Sequence, residues 1–575
     1  MKFDEILAEV GEFGPYQKRL YYLACLPAVM ASIQALLPVF ILGIPKYRCK
    51  IPGLANDTYA IQNEAHAKLI NMTIPPPSAG EEGLYSHCTI YKSENNTWRD
   101  FTEITNTTPQ MACTSWVYDT TWFYPTAITE FDMVCGHEIM RTHSNMVRFG
   151  GALTGSLVLG MTTDIIGRKK TLLTAIMLQI CSGIGVAFAP NVITFVVFTY
   201  LSGISRIGEF MIAFVIAMEL VGPSKRTFVG LVIEVFWCIG LIILSGLAYF
   251  IRDWRHLQLS VTAPAVLFFL YWWLLPESPR WLLSRGRLDE AEVIIKRIAK
   301  SNGVTMRKGL MRDITLDEGP HAKITAMFTS PVLLLRCVII FFNWMALNAI
   351  YYGISLNVGN LSGNVYLNFV ISSLVELSAY VTLIFIMDKT GRRKLYVASM
   401  VTGGIACLTT VFPLVYGTAA HTWVTVTLSM IGRFGSSAAF AIIYVFSAEL
   451  FPTVIRQSGI GSGCIFGGLG GMIAPYISDM GILLGGHLAS VLPMVVFGGI
   501  TVFAGLTSLG LPETQNRKLP ETIEDALQFG RTETVKQELR LFALKRQSDG
   551  KDRPRCEAED GDKAGCHTEQ KISLF

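Results

Sequence analysis

Five ionisable residues, Arg206, Glu209, Glu234, Glu376 and Arg433, stand inside long stretches of otherwise apolar sequence. A charge at bilayer depth costs at least about 2.5 kcal/mol, so it is retained where it meets a partner, a proton path or a substrate. Glu376 in that setting is a fixed negative charge able to attract an ammonium group, or else an interhelical hydrogen-bond partner that never meets a substrate. Arg433 offers a guanidinium that holds a carboxylate, or one that pairs with Glu376. Arg206 and Glu209 lie three apart on one helical face, where they either shield one another as an i,i+3 pair or contact a substrate. No His, Cys and Asp constellation shows catalytic or metal-ligand spacing. The chemistry offered is recognition of a small charged molecule, with no cofactor, no metal and no enzymatic reaction implied.

The elements that position these charges are membrane helices. The chain is 51% hydrophobic and only 16% charged, against about a quarter charged in an average soluble domain. A span needs about 20 mostly apolar residues to cross ~30 Å of hydrocarbon. Leu395–Tyr416 and Leu488–Leu511 meet that test with no charge at all. Hydropathy predicts twelve spans near 20–43, 145–163, 171–189, 193–217, 226–250, 257–275, 331–355, 366–387, 395–416, 421–447, 457–480 and 485–510. A soluble enzyme is excluded as the main reading. A net charge of +4 does not imply nucleic acid, and no G-x-x-x-x-G-K-[ST] motif suggests a pump with its own ATP site.

Charge sets the orientation. Residues 1–19 form an acidic, polar segment that is no signal peptide. Lys18 and Arg19, Arg168 to Lys170, Lys225 and Arg226, Lys389 with Arg392 to Lys394, and the segment 276–330 place basic residues on one side of the membrane, so both termini are expected in the cytoplasm. The N-terminal six-helix bundle covers 20–275, a helical cytoplasmic linker 276–330, the C-terminal bundle 331–510 and a polar cytoplasmic tail 511–575. Loop 44–143, about a hundred residues long, then lies outside. It holds sequons at Asn56, Asn71, Asn95 and Asn106, which mark glycosylation. It also holds Cys49, Cys88, Cys113 and Cys135, an even set that predicts two disulfides with three pairings open.

A repeated motif explains how such a chain works. Asp164-Ile165-Ile166-Gly167-Arg168-Lys169-Lys170 follows the second span, and Asp388-Lys389-Thr390-Gly391-Arg392-Arg393-Lys394 follows the eighth. The same D-x-x-G-R-[KR] run six spans apart is the mark of duplicated halves. It is the loop motif of the major facilitator superfamily, which the chain resembles over nearly its full length; the second copy has Ile384 where a leading Gly is usual. Glu277 and Arg280 in Pro276–Leu282, Glu219 and Arg226 between spans four and five, and Glu449 and Arg456 after span ten extend the charged clusters. Together with Asp164, Arg168, Asp388 and Arg392 they are expected to form a cytoplasmic latch that breaks and reforms. The large loop, Gly11-Glu12-Phe13-Gly14, Trp254-Arg255-His256-Leu257-Gln258 and Trp344 with Tyr351-Tyr352-Gly353 resemble solute carrier family 22, the organic cation, anion and zwitterion transporters, from about residue 3 to residue 525.

The resemblance implies an all-α membrane protein with the major facilitator fold, twelve transmembrane helices in two pseudo-symmetric six-helix bundles. It implies a central site that includes Glu376, Arg433, Trp344, Tyr351, Tyr352, Phe210, Trp237, Phe440 and Tyr444, where an aromatic box suits cations. Two departures bear on the substrate. Gly468 is neutral where the family carries Asp or Arg ahead of Gly470-Gly471, and Arg206 with Glu209 replaces small neutral residues. The terminal Ser573-Leu574-Phe575 fits a PDZ-domain ligand, read as an added strand. The expected function is transport of small organic cations or zwitterions across the plasma membrane by alternating access. An organic anion exchanger, or a non-transporting receptor on the same fold, is the alternative.

Overall fold

The computed structural model describes residues 3–77, 85–92, 108–305, 330–360, 363–417, 421–452, 455–481, 491–515, 517, 520 and 523–529. Among the described residues, twelve helices are long and apolar enough to cross a membrane. Spans 1 to 6 are Pro15–Ile41, Cys135–Ile166, Arg168–Ala187, Val192–Glu219, Pro223–Phe250 and Trp254–Leu274. Spans 7 to 12 are Pro331–Asn357, Val365–Thr390, Arg392–Tyr416, Thr422–Leu450, Ser458–Ser478 and Leu492–Gly510. They match the hydropathy reading one for one. Span 2 begins at Cys135 rather than near 145, because Thr142, Ser144, Asn145 and Arg148 are buried against neighbouring helices despite their polarity. The predicted start of span 12 at 485 lies outside the described residues.

Span 2 packs on span 4 and span 9 on span 10; the two groups of six meet where span 5 lies along span 8 and span 2 along span 11. Lipid supplies no hydrophobic drive between helices, so close backbone approach does the work. Gly203 shows it: a Cβ there would run into the carbonyl of Arg148, and one on Gly151 into that of Tyr200.

The loop between spans 1 and 2 is a small built domain. Strand Tyr47–Cys49 pairs antiparallel with Trp116–Tyr118, and Thr89–Tyr91 with Gln110–Ala112. Of the three open pairings the structure has Cys49–Cys113 and Cys88–Cys135. Cys49 and Cys113 sit in a core with Ile51, Ile70, Ile74 and Ile90. Beside it Asp57 accepts from Arg48 (2.5 and 3.1 Å), from the Ile51 N–H (2.7 Å), and lies 3.0 Å from His66. Burial alone raises the Asp57 carboxyl, but these bonds outweigh it and hold it below the usual range. Asn56 and Asn71 are exposed; Asn95 and Asn106 lie outside the described residues. At the loop's end, Glu130 takes hydrogen bonds from Arg255 and Trp254, which lower its carboxyl.

The N-terminus contains a helix that hydropathy passed over. Phe3–Val10 places Phe3, Ile6, Leu7 and Val10 on one stripe, at the spacing of a helix face. That stripe packs on the linker helices Pro279–Ser284 and Leu288–Ser301 through Trp281, Ile295 and Ile298. Asn302 then donates to the Val10 carbonyl at 2.9 Å, and Gln17 to that of Leu220 at 2.9 Å. The Gly11–Gly14 motif is therefore a junction that ties the linker to spans 1 and 4. Residues 306–329 of the linker, most of the tail and the terminal Ser573–Phe575 lie outside the described residues.

Replacing fully buried Leu7 by Asp removes this packing and buries a charge without a partner. Limited proteolysis of the purified protein should then cut within the first ~15 residues much faster than in wild type, as for an exposed terminus; equal cutting rates would mean that the helix is not docked.

Candidate functional site

Between the two groups of spans lies a cavity. Its wall takes Phe210 from span 4, Trp237 from span 5, Trp344, Tyr351 and Tyr352 from span 7, and Phe440 and Tyr444 from span 10. All seven aromatic residues singled out in the sequence thus converge on one space. They brace one another: Phe210 meets Trp237 edge-on at 5.2 Å, Trp344 meets Tyr444 at 4.6 Å, and Tyr351 lies 5.0 Å from Phe440. Such pairs fix ring orientation as well as burying area. Gly468 lines the same wall and brings no charge.

Glu376 and Arg433 are brought together, but not onto this wall. They form an ion pair between spans 8 and 10 with side chains 0% and 1% exposed. Arg433 also donates to the Tyr351 carbonyl at 3.1 Å and to Ser355, and its guanidinium lies 4.2 Å from the Tyr351 ring centre. Tyr351 and Tyr380 each donate to Glu376, at 2.8 and 2.9 Å. The Trp237 indole donates to the Tyr351 hydroxyl at 3.0 Å. The pair stands directly behind Tyr351 and Tyr380, which do line the cavity.

The acidic and basic side chains on the wall are Arg206 and Glu234. The i,i+3 pairing expected of Arg206 with Glu209 does not form. Glu209 turns instead toward span 3, where the Gln179 amide, oriented with its nitrogen to the acid as donor and acceptor require, reaches both oxygens at 2.8 and 3.0 Å. A three-residue spacing permits contact, yet the Gln179 amide draws Glu209 away from it. Glu234 was legible as an intramembrane acid, but span 5 is apolar all round, so sequence gave no sign of the face it occupies.

At the end of the bundle that carries the linker, the charged motifs build two copies of one device. Arg168 pairs with Asp164 (3.1 Å) and Glu219 (3.0 Å), while the Glu277 carboxylate accepts from the backbone N–H groups of Arg168 and Lys169 at 2.9 and 3.2 Å. Arg392 pairs with Asp388 (2.9 Å) and Glu449 (3.3 Å), and Glu513 accepts from the N–H groups of Arg392 and Arg393 at 2.8 and 3.2 Å. A carboxylate at the start of span 3 and of span 9 meets the positive end of the helix dipole. Gly167 and Gly391, at φ +104° and +97°, make the turn; a Cβ on Gly391 would come within 2.9 Å of Glu513. Glu513 was missed in the sequence, although Leu511-Pro512-Glu513-Thr514 repeats Leu275-Pro276-Glu277-Ser278. Both clusters close within a half rather than between halves. Arg226 and Arg456, one from each half, are near enough to repel, and burial with that repulsion lowers Arg456. Arg280 is exposed beside the first cluster.

The opposite end, which carries loop 44–143, is sealed between halves by residues that sequence reasoning did not select. Thr142 donates to Asp479 at 2.6 Å and His143 bonds Tyr476 at 2.7 Å, joining span 2 to the end of span 11. Phe40 stacks on Tyr366 at 5.6 Å and meets Phe369 at 5.0 Å. Tyr366 in turn donates to the Trp122 carbonyl of the loop at 2.8 Å.

The family described as "Sugar (and other) transporter" matches residues 107–526. "Organic cation transporter protein" of Drosophila melanogaster is 36% identical, over 92% of this chain and 95% of its own. "Solute carrier family 22 member 3" of Rattus norvegicus is 33% identical, over 92% and 96%. The chain belongs to solute carrier family 22. In fold it is similar to the major facilitator superfamily proton:xylose symporter XylE, with a TM-score of 0.59 and 17% identity over 89% of this chain and 98% of that one. Family and fold agree with the twelve spans: this is a multi-pass membrane protein of a transporter family, not an enzyme.

Two outcomes are expected. Glu376→Gln or Arg433→Gln alone leaves a buried charge unpaired and should destabilise by about 3–5 kcal/mol, whereas replacing both at once should cost clearly less than the sum. Thermal unfolding of the four purified forms checks this; additive losses would show that the two side chains do not act as a pair. Glu277→Ala and Glu513→Ala should lower stability by similar amounts, about 1 kcal/mol each, as loss of equivalent helix caps does; a loss at Glu277 with none at Glu513 would break the equivalence.

Proposed function

We propose that this protein carries small organic cations across the plasma membrane by alternating access, with zwitterions as the related substrate class. Loop 44–143 then faces outside with its exposed sequons, and both termini face the cytoplasm. The observation that carries the reading is the central cavity, where nine aromatic rings and the Glu234 carboxylate surround one space shared by both halves. Ring faces carry negative potential and hold a quaternary ammonium for about 0.5–2 kcal/mol each where desolvated. A carboxylate adds the opposite charge that a cation must find on leaving water. The names of the fly and mammalian relatives support the same substrate class.

In this reading Glu376 and Arg433 act behind the wall. Their pairing holds Tyr351 and Tyr380 in place and sets the potential in the cavity, while Glu234 meets the substrate directly. Alternating access has its parts as well. The Thr142–Asp479 and Phe40–Tyr366 contacts close the outer end, and the two charged clusters keep each half rigid while the halves rock about the site. Rocking that opens the outer end breaks the first set and leaves the second intact. This gives the clusters a different task from a latch between halves: they stiffen the moving bodies.

Uptake of labelled tetraethylammonium by cells expressing the protein should be saturable, and Glu234→Gln should raise its half-saturating concentration at least ~10-fold at equal surface density, the scale of a lost charge-assisted contact. Normal affinity in that variant would remove Glu234 from the site. Absence of uptake for every quaternary ammonium tried, with uptake of a dicarboxylate, would replace the cation reading by an anion exchanger.

A further inference from the structure

The cavity holds one charge that a cation transporter has no use for. Arg206 is 4% exposed, its side chain lines the cavity, and its Nε is buried with no hydrogen-bond partner. Among the described residues no carboxylate lies within ion-pair distance of it. Its neighbour in sequence, Glu209, is engaged by Gln179 on the far side of span 4. The nearest charged group in span 2 makes matters worse. Arg148 donates through Nη1 to the carbonyls of Gln34 and Ala35 at 2.9 and 2.6 Å, yet its Nε and Nη2 are buried and unpartnered, and its charge repels that of Arg206. Two guanidinium groups thus share a region at membrane depth, and among the described residues no carboxylate pairs with either.

Glu234 presents the converse. It is 5% exposed, lines the same cavity and has no hydrogen bond or ion pair among the described residues. If Arg206 and Glu234 were only a structural pair, their side chains would be in contact, as Glu376 and Arg433 are one layer behind. Both line the cavity, yet among the described residues they form no ion pair with each other. An unpaired buried charge is strongly unfavourable, and two opposite ones in a single cavity call for a ligand that carries both complements.

We propose that the substrate is a zwitterion whose carboxylate is taken by Arg206 and whose ammonium end is taken by Glu234 and the aromatic rings. The inference rests on the transport reading above and narrows it. A guanidinium offers two parallel N–H groups that match the two oxygens of a carboxylate. Arg148 stands behind and adds positive potential without touching the ligand. A plain cation would fill the aromatic end and leave Arg206 unmatched; a plain anion would match Arg206 and be repelled by Glu234. Gly468, on the same wall, leaves the charge pattern to these two side chains.

The test compares 4-(trimethylammonio)butanoate with its methyl ester, which keeps the ammonium and loses the anionic charge. In the wild-type protein the zwitterion should compete against labelled tetraethylammonium at least ~10-fold more strongly than the ester, and glutarate should compete weakly. In Arg206→Gln the ratio of zwitterion to ester potency should collapse toward one. Equal potency of the two compounds in wild type, or an unchanged ratio in Arg206→Gln, overturns the proposal. If that variant does not reach the membrane, thermal shift of purified wild type decides: the zwitterion should stabilise it more than the ester at equal concentration, and equal shifts overturn the proposal. Should neither compound nor tetraethylammonium bind or enter, the cation reading itself falls. Should the ester and tetraethylammonium enter without preference for the zwitterion, only the role of Arg206 falls.

Discussion

A bilayer gives no water to an unpaired charge or an open backbone group, and that single restriction orders this molecule. Every stretch that crosses is helical, so each peptide group is satisfied within its own segment. The acid of span 8 and the guanidinium of span 10 meet in a closed ion pair, and the tyrosines around them spend their hydroxyls on the same carboxylate. Glu209 finds an amide. Beside these closed arrangements, Arg206 and Glu234 are the charges left open to the cavity.

The same economy of design appears in the duplicated halves. Each half ends its second helix on a glycine in the left-handed region, starts the next helix on an Arg that reaches back to one acid and across to another, and covers the free N–H groups with a carboxylate arriving from its own sixth helix. The arrangement needs the acid, the glycine and the basic residue at fixed places, which is why the motif is compact. It also welds three helices and a connector into a unit. A body that must rotate without deforming benefits from such welds at its rim, and the halves touch each other chiefly through softer contacts, rings and single hydrogen bonds.

Much of this was legible in the residues. The number of spans, their order, the duplicated motif and the even cysteine count follow from composition and spacing, since a bilayer imposes lengths and a repeat repeats. The aromatic set was found through the likeness to solute carrier family 22, and the fold gathered it into one place. What the residues did not disclose was direction. Span 5 has no polar face to mark the side on which Glu234 points, Arg206 and Glu209 look like neighbours and turn apart, and the disulfide partners follow from a fold of the loop that no spacing encodes. The helix at Phe3–Val10 escaped because its apolar stripe is too short for a hydropathy window, though its period is plain once the linker surface is seen. Glu513 escaped because it stands beyond the last span, at the head of a polar tail, where only the short likeness of Leu511–Thr514 to Leu275–Ser278 marks it.

Trp237 sits at a junction between two kinds of contact. Its ring belongs to the wall of the cavity, and its indole nitrogen donates across the divide between the halves to Tyr351, whose hydroxyl in turn serves the buried ion pair. Whatever occupies the cavity presses on the same ring that bridges the two bodies. One side chain thereby ties the cavity wall of one half to the buried ion pair of the other, so that wall and pair cannot shift independently while that bond holds.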